Sequence, residues 1–348
     1  MMKSIGMAMM VLGVLFAAVG FDSKESTAQG QQAGAGGGAG GKELVLDLGD
    51  KVTLKLVQIP AGKFLMGSPD EEKKAAVKEA VAAGISEAQA SKAFEDETEH
   101  EVTISKPFYM GITHVTVDQF AAFVKDSGYK TEAEKDWGAI GFEIKDGKLD
   151  FKRVDGCSWR NPSFDQKGDH PVVQVSWNDA KAFCDWLSKK SGKTVVLPTE
   201  AQWEYACRAG TKTAYPWGDN RDDGKGCANC SDQSLKKKIP NHQKGWAFFS
   251  WDDGFVFTSP VASFKANAFG LYDMNGNAWQ WCQDRYGDYE KGAATDPTGA
   301  NTGALRVLRG GSWHLNPGFC RSAYRIGDDP VNRIGGIGFR VALAAGVD

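Results

Sequence analysis

The chain has 348 residues, 42% hydrophobic and 24% charged, with a net charge of −3. Its length suits one large domain or two small ones. A near-neutral charge supplies neither the basic footprint of a nucleic-acid binder nor a polybasic membrane patch. Eleven Trp and 42 Gly point to a loop-rich domain, with irregular segments pinned by large aromatic side chains. The N-terminus reads as a secretory signal over residues 1–28. Lys3 precedes an apolar run from Ile5 to Phe21, and small residues offer cleavage after Gly20 or Ala28. The run is short for a spanning helix and is interrupted by Gly6, Gly13 and Gly20. The expectation is a secreted or periplasmic protein with no membrane span after cleavage, in a compartment where disulfides persist. Residues 29–43, mostly Gln, Gly and Ala, read as a flexible linker ahead of a domain over 44–348.

Val52 to Ile59 has strand character and leads through the turn Pro60-Ala61-Gly62 into Phe64–Gly67. Residues 70–99 are rich in Ala, Lys and Glu, with apolar Val77, Val81 and Ile85 every fourth residue, and read as a helical insertion. Charges of both signs are interspersed along it. That pattern predicts a solvated surface helix rather than a lid or a docking helix. Val102 to Ile112 returns to a strand pattern. Thr116 then opens a helix, with Gln119 completing a capping box and Phe120, Phe123 and Val124 forming the buried face. A second helix begins near Asn178 and buries Ala180, Phe183, Cys184 and Leu187. A third starts at Thr199, boxed by Gln202, and stops at Gly210. Beyond Gly210 only short strands, turns and long loops are expected, so the class is α+β.

Five strings follow one another in the second half: His170-Pro-Val-Val-Gln-Val-Ser-Trp-Asn-Asp179, Leu197-Pro-Thr-Glu-Ala-Gln-Trp-Glu-Tyr205, Gly270-Leu-Tyr-Asp-Met-Asn-Gly-Asn-Ala-Trp279, Arg309-Gly-Gly-Ser-Trp313 and Gly338-Phe-Arg340. Together with the opening Ile59-Pro-Ala-Gly-Lys-Phe-Leu-Met-Gly-Ser68, this ladder resembles the sulfatase-modifying factor family, whose founding activity is the formylglycine-generating enzyme. The resemblance implies one C-type-lectin-like domain, poor in regular secondary structure. It also implies an oxidoreductase that uses O2 to convert a Cys in a peptide or protein segment to an aldehyde. Two structural Ca²⁺ ions come with the resemblance. Their ligands fall on Asn229, Cys230, Asp253 and Phe255 for the first, and on Asp273, Gly276, Ala278 and Gln280 for the second. These oxygen donors suit a hard cation, although Gln280 stands where the family usually has Glu.

In the family's enzymes two Cys after Gly-Gly-Ser hold Cu(I), which soft thiolates favour. The stretch from Gly310 to Arg325 has one, Cys320. Counted forward from Ser312, Cys320 falls on the second copper position and Leu315 on the first. Counted backward from Gly338 and Arg325, the stretch is three residues shorter and Cys320 matches neither. On either count the two-Cys site is absent, leaving His314 as the nearby nitrogen donor. The implied catalytic positions are Cys320, Ser312 and Trp279, with Trp313, His314 and Arg340 around a substrate groove. The resemblance also implies a Cys207–Cys320 disulfide, whereas the family's other bridge would join Cys184 to a position held here by Val341. Cys227-Ala-Asn-Cys230 reads either as a local disulfide or as a redox or metal pair. Two functions follow: a thiol-oxidising enzyme, or a calcium-stabilised, non-catalytic ligand- or peptide-binding module on the same fold.

Overall fold

The computed structural model describes residues 41–344, so the signal segment and most of the linker lie outside the described residues. The N-terminal part runs β1 (Glu43–Gly49), β2 (Val52–Ile59), β3 (Gly62–Met66), α1 (Asp70–Ala82), α2 (Glu87–Ala93), β4 (His100–Ile104) and β5 (Phe108–Gly111). The middle holds α3 (Val117–Ser127), α4 (Glu132–Lys135), β6 (Ala139–Lys145), β7 (Lys148–Val154), α5 (Trp177–Ser191), β8 (Val195–Val196), α6 (Glu200–Arg208) and α7 (Gln233–Lys238). The C-terminal part, apart from a single 3-10 turn at Pro317–Cys320, holds strands: β9 (Trp279–Arg285), β10 (Ala294–Thr295), β11 (Arg306–Arg309), β12 (Arg325–Asp328), β13 (Ile337–Phe339) and β14 (Ala342–Leu343).

One sheet, ordered β1-β2-β5-β14-β8, joins the two ends of the domain, because β14 pairs with both β5 and β8. A second, β12-β11-β9-β13, carries the Gly-Asn-Ala-Trp and Arg-Gly-Gly-Ser strings. β10-β4-β3 forms a third sheet and β6-β7 a separate hairpin. Phe120, Phe123 and Phe183 of α3 and α5 meet Phe339 of β13 in the main core. The capping logic holds. Thr116 Oγ1 accepts from Gln119 N at 3.2 Å and Gln119 Oε1 from Thr116 N at 3.0 Å, with the same reciprocal pair at Thr199 and Gln202. The second helix starts at Trp177, boxed by Ser176 and Asp179.

The insertion departs from expectation. It breaks into two helices around Gly84, whose φ of +101° ends the first, and its buried face is Ala76, Ala80, Ile85 and Ala90 while Val81 is exposed. Nor is it solvated. Phe94 packs on Phe319 and Tyr324, with ring centroids 5.7 and 5.6 Å apart. Arg321 reaches Glu97 at 2.6 Å and Glu72 at 2.6 Å. Its acidic residues therefore answer a buried guanidinium some 220 positions away in sequence, which local charge patterning cannot reveal.

A buried ionic frame underlies the C-terminal sheet. Glu204 pairs with Arg309 and with Arg208 Nε at 2.9 Å, while Glu200 takes Arg325 Nε at 2.7 Å and Nη2 at 2.8 Å. Removing one partner from such a set costs about 3–5 kcal/mol, because the other charge is left buried and alone.

Candidate functional site: the cation loops and the segment after Gly-Gly-Ser

The segment from Ser312 to Arg325 passes through the short turn Pro317–Cys320 before β12. Cys207 and Cys320, expected as a bridge, are not joined in this structure. Cys207 Sγ instead donates to Asn275 Oδ1 at 3.4 Å and lies beside Ser322, two residues past Cys320; burial pushes its pKa up to about 11. Asn275 Nδ2 holds the Cys320 carbonyl at 2.8 Å, so the amide sits between the two cysteines. The Cys320 thiol points toward Leu315 O at 3.8 Å and faces Cys230. His314 does not join it. Its Nδ1 meets Ser312 Oγ at 2.9 Å, its ring lies between Trp313 and Phe151, and burial pulls its pKa down to about 3. Among the described residues no three His, Cys, Asp or Glu side chains group as a metal site.

The residues expected to line a groove are not at a surface. Ser312, Trp313, Trp279 and Arg340 are 0, 1, 4 and 0% exposed, and only His314 keeps an open edge. Arg340 is a backbone clamp: Nη1 donates to Gly111 O at 2.7 Å and Ile112 O at 2.9 Å, and Nη2 to Tyr272 O at 2.6 Å. Trp313 donates Nε1 to Gly335 O at 3.0 Å inside a cluster with Phe142, Phe164 and Phe257. Phe142 and Phe151 come from the β6–β7 hairpin, so this hairpin covers the place where a groove was expected. Its sequence signal is Asp146-Gly147 between alternating residues, both with positive φ, the two-residue turn that matches strand twist. An open hollow beside the cluster is lined by Phe142, Phe164, Phe257, Lys237 and Lys238.

The two cation loops differ. In the first, Asn229 Nδ2 donates to Phe257 O at 2.8 Å while its Oδ1 has no partner. Asp253 Oδ1 accepts from Phe255 N at 2.7 Å while its Oδ2 has none. Burial, with the neighbouring Asp232 carboxylate, pushes Asp253 up to about 8. Buried oxygens without partners are rare unless an ion or water completes them, and here they come with a second carboxylate close by. This donor set fits Ca²⁺: Asn229 and Asp253 side chains with the Cys230 and Phe255 carbonyls would hold the ion, whose charge would offset the acidic pair.

The second loop spends its donors internally. Gln280 Oε1 already accepts from Trp203 Nε1 at 2.9 Å and Arg340 Nε at 2.8 Å, and Gln280 Nε2 binds Asp273 O at 3.2 Å. The Ala278 carbonyl takes His114 Nε2 at 2.8 Å. Asp273 Oδ1 alone is left over, its carboxyl pushed up to about 6 by burial. With an amide saturated by two donors and a guanidinium beside it, this set does not fit a second cation.

Residues 49–345 match the family described as sulfatase-modifying factor enzyme 1-like domain. The chain belongs to that family. A formylglycine-generating enzyme of Streptomyces coelicolor is 33% identical over 309 residues, covering 82% of this chain and 88% of its own. A Bos taurus protein named inactive C-alpha-formylglycine-generating enzyme 2 is 32% identical over 329 residues, covering 86% and 92%. The solved structure of PvdO from Pseudomonas aeruginosa matches with a TM-score of 0.61 at 29% identity, over 86% of this chain and 97% of that one. The fold is thus of the formylglycine-generating-enzyme type, C-type-lectin-like and poor in regular secondary structure. Membership leaves activity open, since both an enzyme and a protein named inactive stand at about the same identity.

Sequence reading missed three participants: Asp232 beside Asp253, Cys230 as the neighbour of Cys320, and Arg321 as the anchor of the insertion. Asp232 carried a signal, because an Asp at that spacing caps α7 through Ser234 N at 2.8 Å. The other two arise from contacts between distant segments. No described helix is long and apolar enough to cross a membrane.

Proposed function

We propose that this chain is a calcium-stabilised binding domain on the family scaffold that does not convert a peptide thiol to an aldehyde. One observation carries the reading. The single thiol after Gly-Gly-Ser is fully buried and faces a cysteine of another loop, while Leu315 stands where a first copper ligand would fall on the forward count. Leu315 has no donor atom, and the Cys207–Ser322 neighbourhood favours the backward count, in which Cys320 is no copper ligand at all. The residues therefore do not fit Cu(I). The buried groove residues point the same way. The ligand class is a peptide or protein segment, and the open hollow, where half-buried Phe164 and Phe257 stand among Lys237, Lys238, Glu143 and Asp165, suits an aromatic side chain flanked by charged ones.

The test incubates the full chain with Cu(I), O2 and a Cys-x-Pro-x-Arg peptide and weighs the peptide. An unchanged mass is expected. An aldehyde product that disappears in Cys320→Ser would overturn the reading. The binding half is checked by selecting a random peptide library on the immobilised, calcium-loaded protein. An aromatic consensus with charged flanks, lost in Phe164→Ala, is expected, and no enrichment would remove it.

A further inference from the structure

Cys230 and Cys320 lie in segments ninety positions apart, and the reading above gives neither thiol a chemical task. Three hydrogen bonds and two close glycines bring them together. Ser231 N donates to Leu315 O at 3.3 Å, and the same carbonyl receives the Cys320 thiol at 3.8 Å. Gly276 N donates to Gly310 O at 2.7 Å, joining the two glycine-bearing loops on which the sulfurs rest. A Cβ on Gly276 would come within 2.6 Å of Cys230 Sγ, and one on Gly311 within 2.7 Å of Cys320 Sγ. Both thiols belong to one small apolar cluster with Ala214, Tyr215, Phe249 and Trp251, and they are 1 and 0% exposed. The other cysteines face elsewhere. Cys157 Sγ meets Ser163 Oγ at 3.4 Å and Gln174 Nε2 at 3.2 Å, Cys207 meets Asn275, Cys184 sits in the main core, Cys227 is half-exposed near Lys265, and Cys282 Sγ turns to Gln280 O at 4.0 Å.

We propose that Cys230 and Cys320 are a disulfide-forming pair that, once oxidised, fastens the first cation loop to the segment after Gly-Gly-Ser. The oxidant is a small-molecule disulfide such as oxidised glutathione. One cysteine thiolate attacks a glutathione sulfur and expels a glutathione thiolate, giving a mixed disulfide. The second cysteine thiolate then attacks the protein sulfur of that mixed disulfide and expels the other glutathione. The two Sγ–H protons go to solvent, and the two electrons end on the two glutathione thiols. The bridge replaces both alternatives drawn from the sequence, Cys207–Cys320 and Cys227–Cys230. It also removes the only thiol of the Gly310–Arg325 stretch from chemistry. Because the Cys230 carbonyl would be a cation ligand of the first loop in the reading above, the bond would pin that ligand to the sheet bearing Arg309.

The test refolds the full chain from urea in glutathione buffers running from reduced to oxidised, so that burial in the native state does not block exchange. Acid quenching, alkylation, digestion and mass spectrometry then map the thiols. The expected result is a single linked peptide pair, Cys230 with Cys320, rising with the oxidised fraction while the other five cysteines stay alkylated. In Cys230→Ser, Cys320 should become alkylated with no new link. Cys230 linked to Cys227, Cys320 linked to Cys207, or both thiols fully alkylated after complete oxidation would each overturn the proposal.

Discussion

The loop bearing Asn229 and Asp253 and the loop from Asp273 to Gln280 carry similar oxygen donors, yet the structure treats them differently. In the first, an amide oxygen and a carboxylate oxygen are buried without partners. In the second, Gln280 Oε1 takes two donors and the Ala278 carbonyl takes a histidine. The difference lies in which lone pairs remain, not in which residue types are present. A neutral amide at position 280 lets Trp203 and Arg340 share one oxygen, and the loop becomes part of the buried frame. The first loop brings no side-chain donor to Asn229 Oδ1 or Asp253 Oδ2 and keeps the Asp232 and Asp253 carboxylates close together, an arrangement that a proton on Asp253 or a cation would relieve.

The strongest way to break this contrast is to remove the donor that closes the second loop. Arg340→Leu strands the Gly111 and Tyr272 carbonyls, while Ile112 O keeps Tyr272 N and the Gln280 amide oxygen keeps Trp203 Nε1. Buried unpaired acceptors cost about 1–3 kcal/mol each, so a loss of about 3 kcal/mol or more is expected in chemical denaturation. A change below about 1 kcal/mol would show that the clamp is not structural. Next comes the first loop. With free Ca²⁺ at a hundredfold its Kd, one bound ion stabilises the wild type by about 2.7 kcal/mol over protein in chelator. Asp253→Asn should lose most of that increment while keeping its stability in chelator, and an unchanged increment would place the ion elsewhere.

The legible part of the fold was the part written in local chemistry. The strand Val52–Ile59 and the capping boxes at Thr116 and Thr199 are settled within a few residues, and the structure reproduces them. The five motif strings gave the family, yet Trp203, Glu204, Arg309, Trp313 and Arg340 serve as its buried frame rather than as a reactive surface. Illegible were features set by distant partners. Val81 looked buried by its spacing, but Phe94, Glu97 and Arg321 dock the insertion and leave it exposed. The neighbour of Cys320 was illegible for the same reason: which thiol faces it depends on how the 229–232 loop crosses the 310–320 segment.

A gentler change sharpens the contrast from the other side. Gln280→Glu replaces the Nε2 that binds Asp273 O by a second carboxylate oxygen and adds a negative charge facing Asp273. Calcium titration should then show a second, weaker site, and no second site would mean that Arg340 alone excludes it. The smallest effect concerns pH. Burial, then the Glu200 carboxylate, pushes Asp284 up to about 8. Its folded pKa is above its unfolded value near 3.9, so its contribution is fully present below about pH 4 and is lost as pH rises toward 8. Asp284→Asn should flatten part of the fall in Tm between pH 4 and 8 in chelator, and an unchanged slope would assign that fall to other carboxyls.

Native mass spectrometry of the full chain, exchanged into a volatile buffer with excess Ca²⁺, tests the contrast between the loops most directly. The account predicts one bound ion per chain, lost in Asp253→Asn and kept in Asp273→Asn. Two ions would show that the second loop still opens for a cation despite Arg340 and Gln280. None would show that the unpaired oxygens of Asn229 and Asp253 serve something other than calcium.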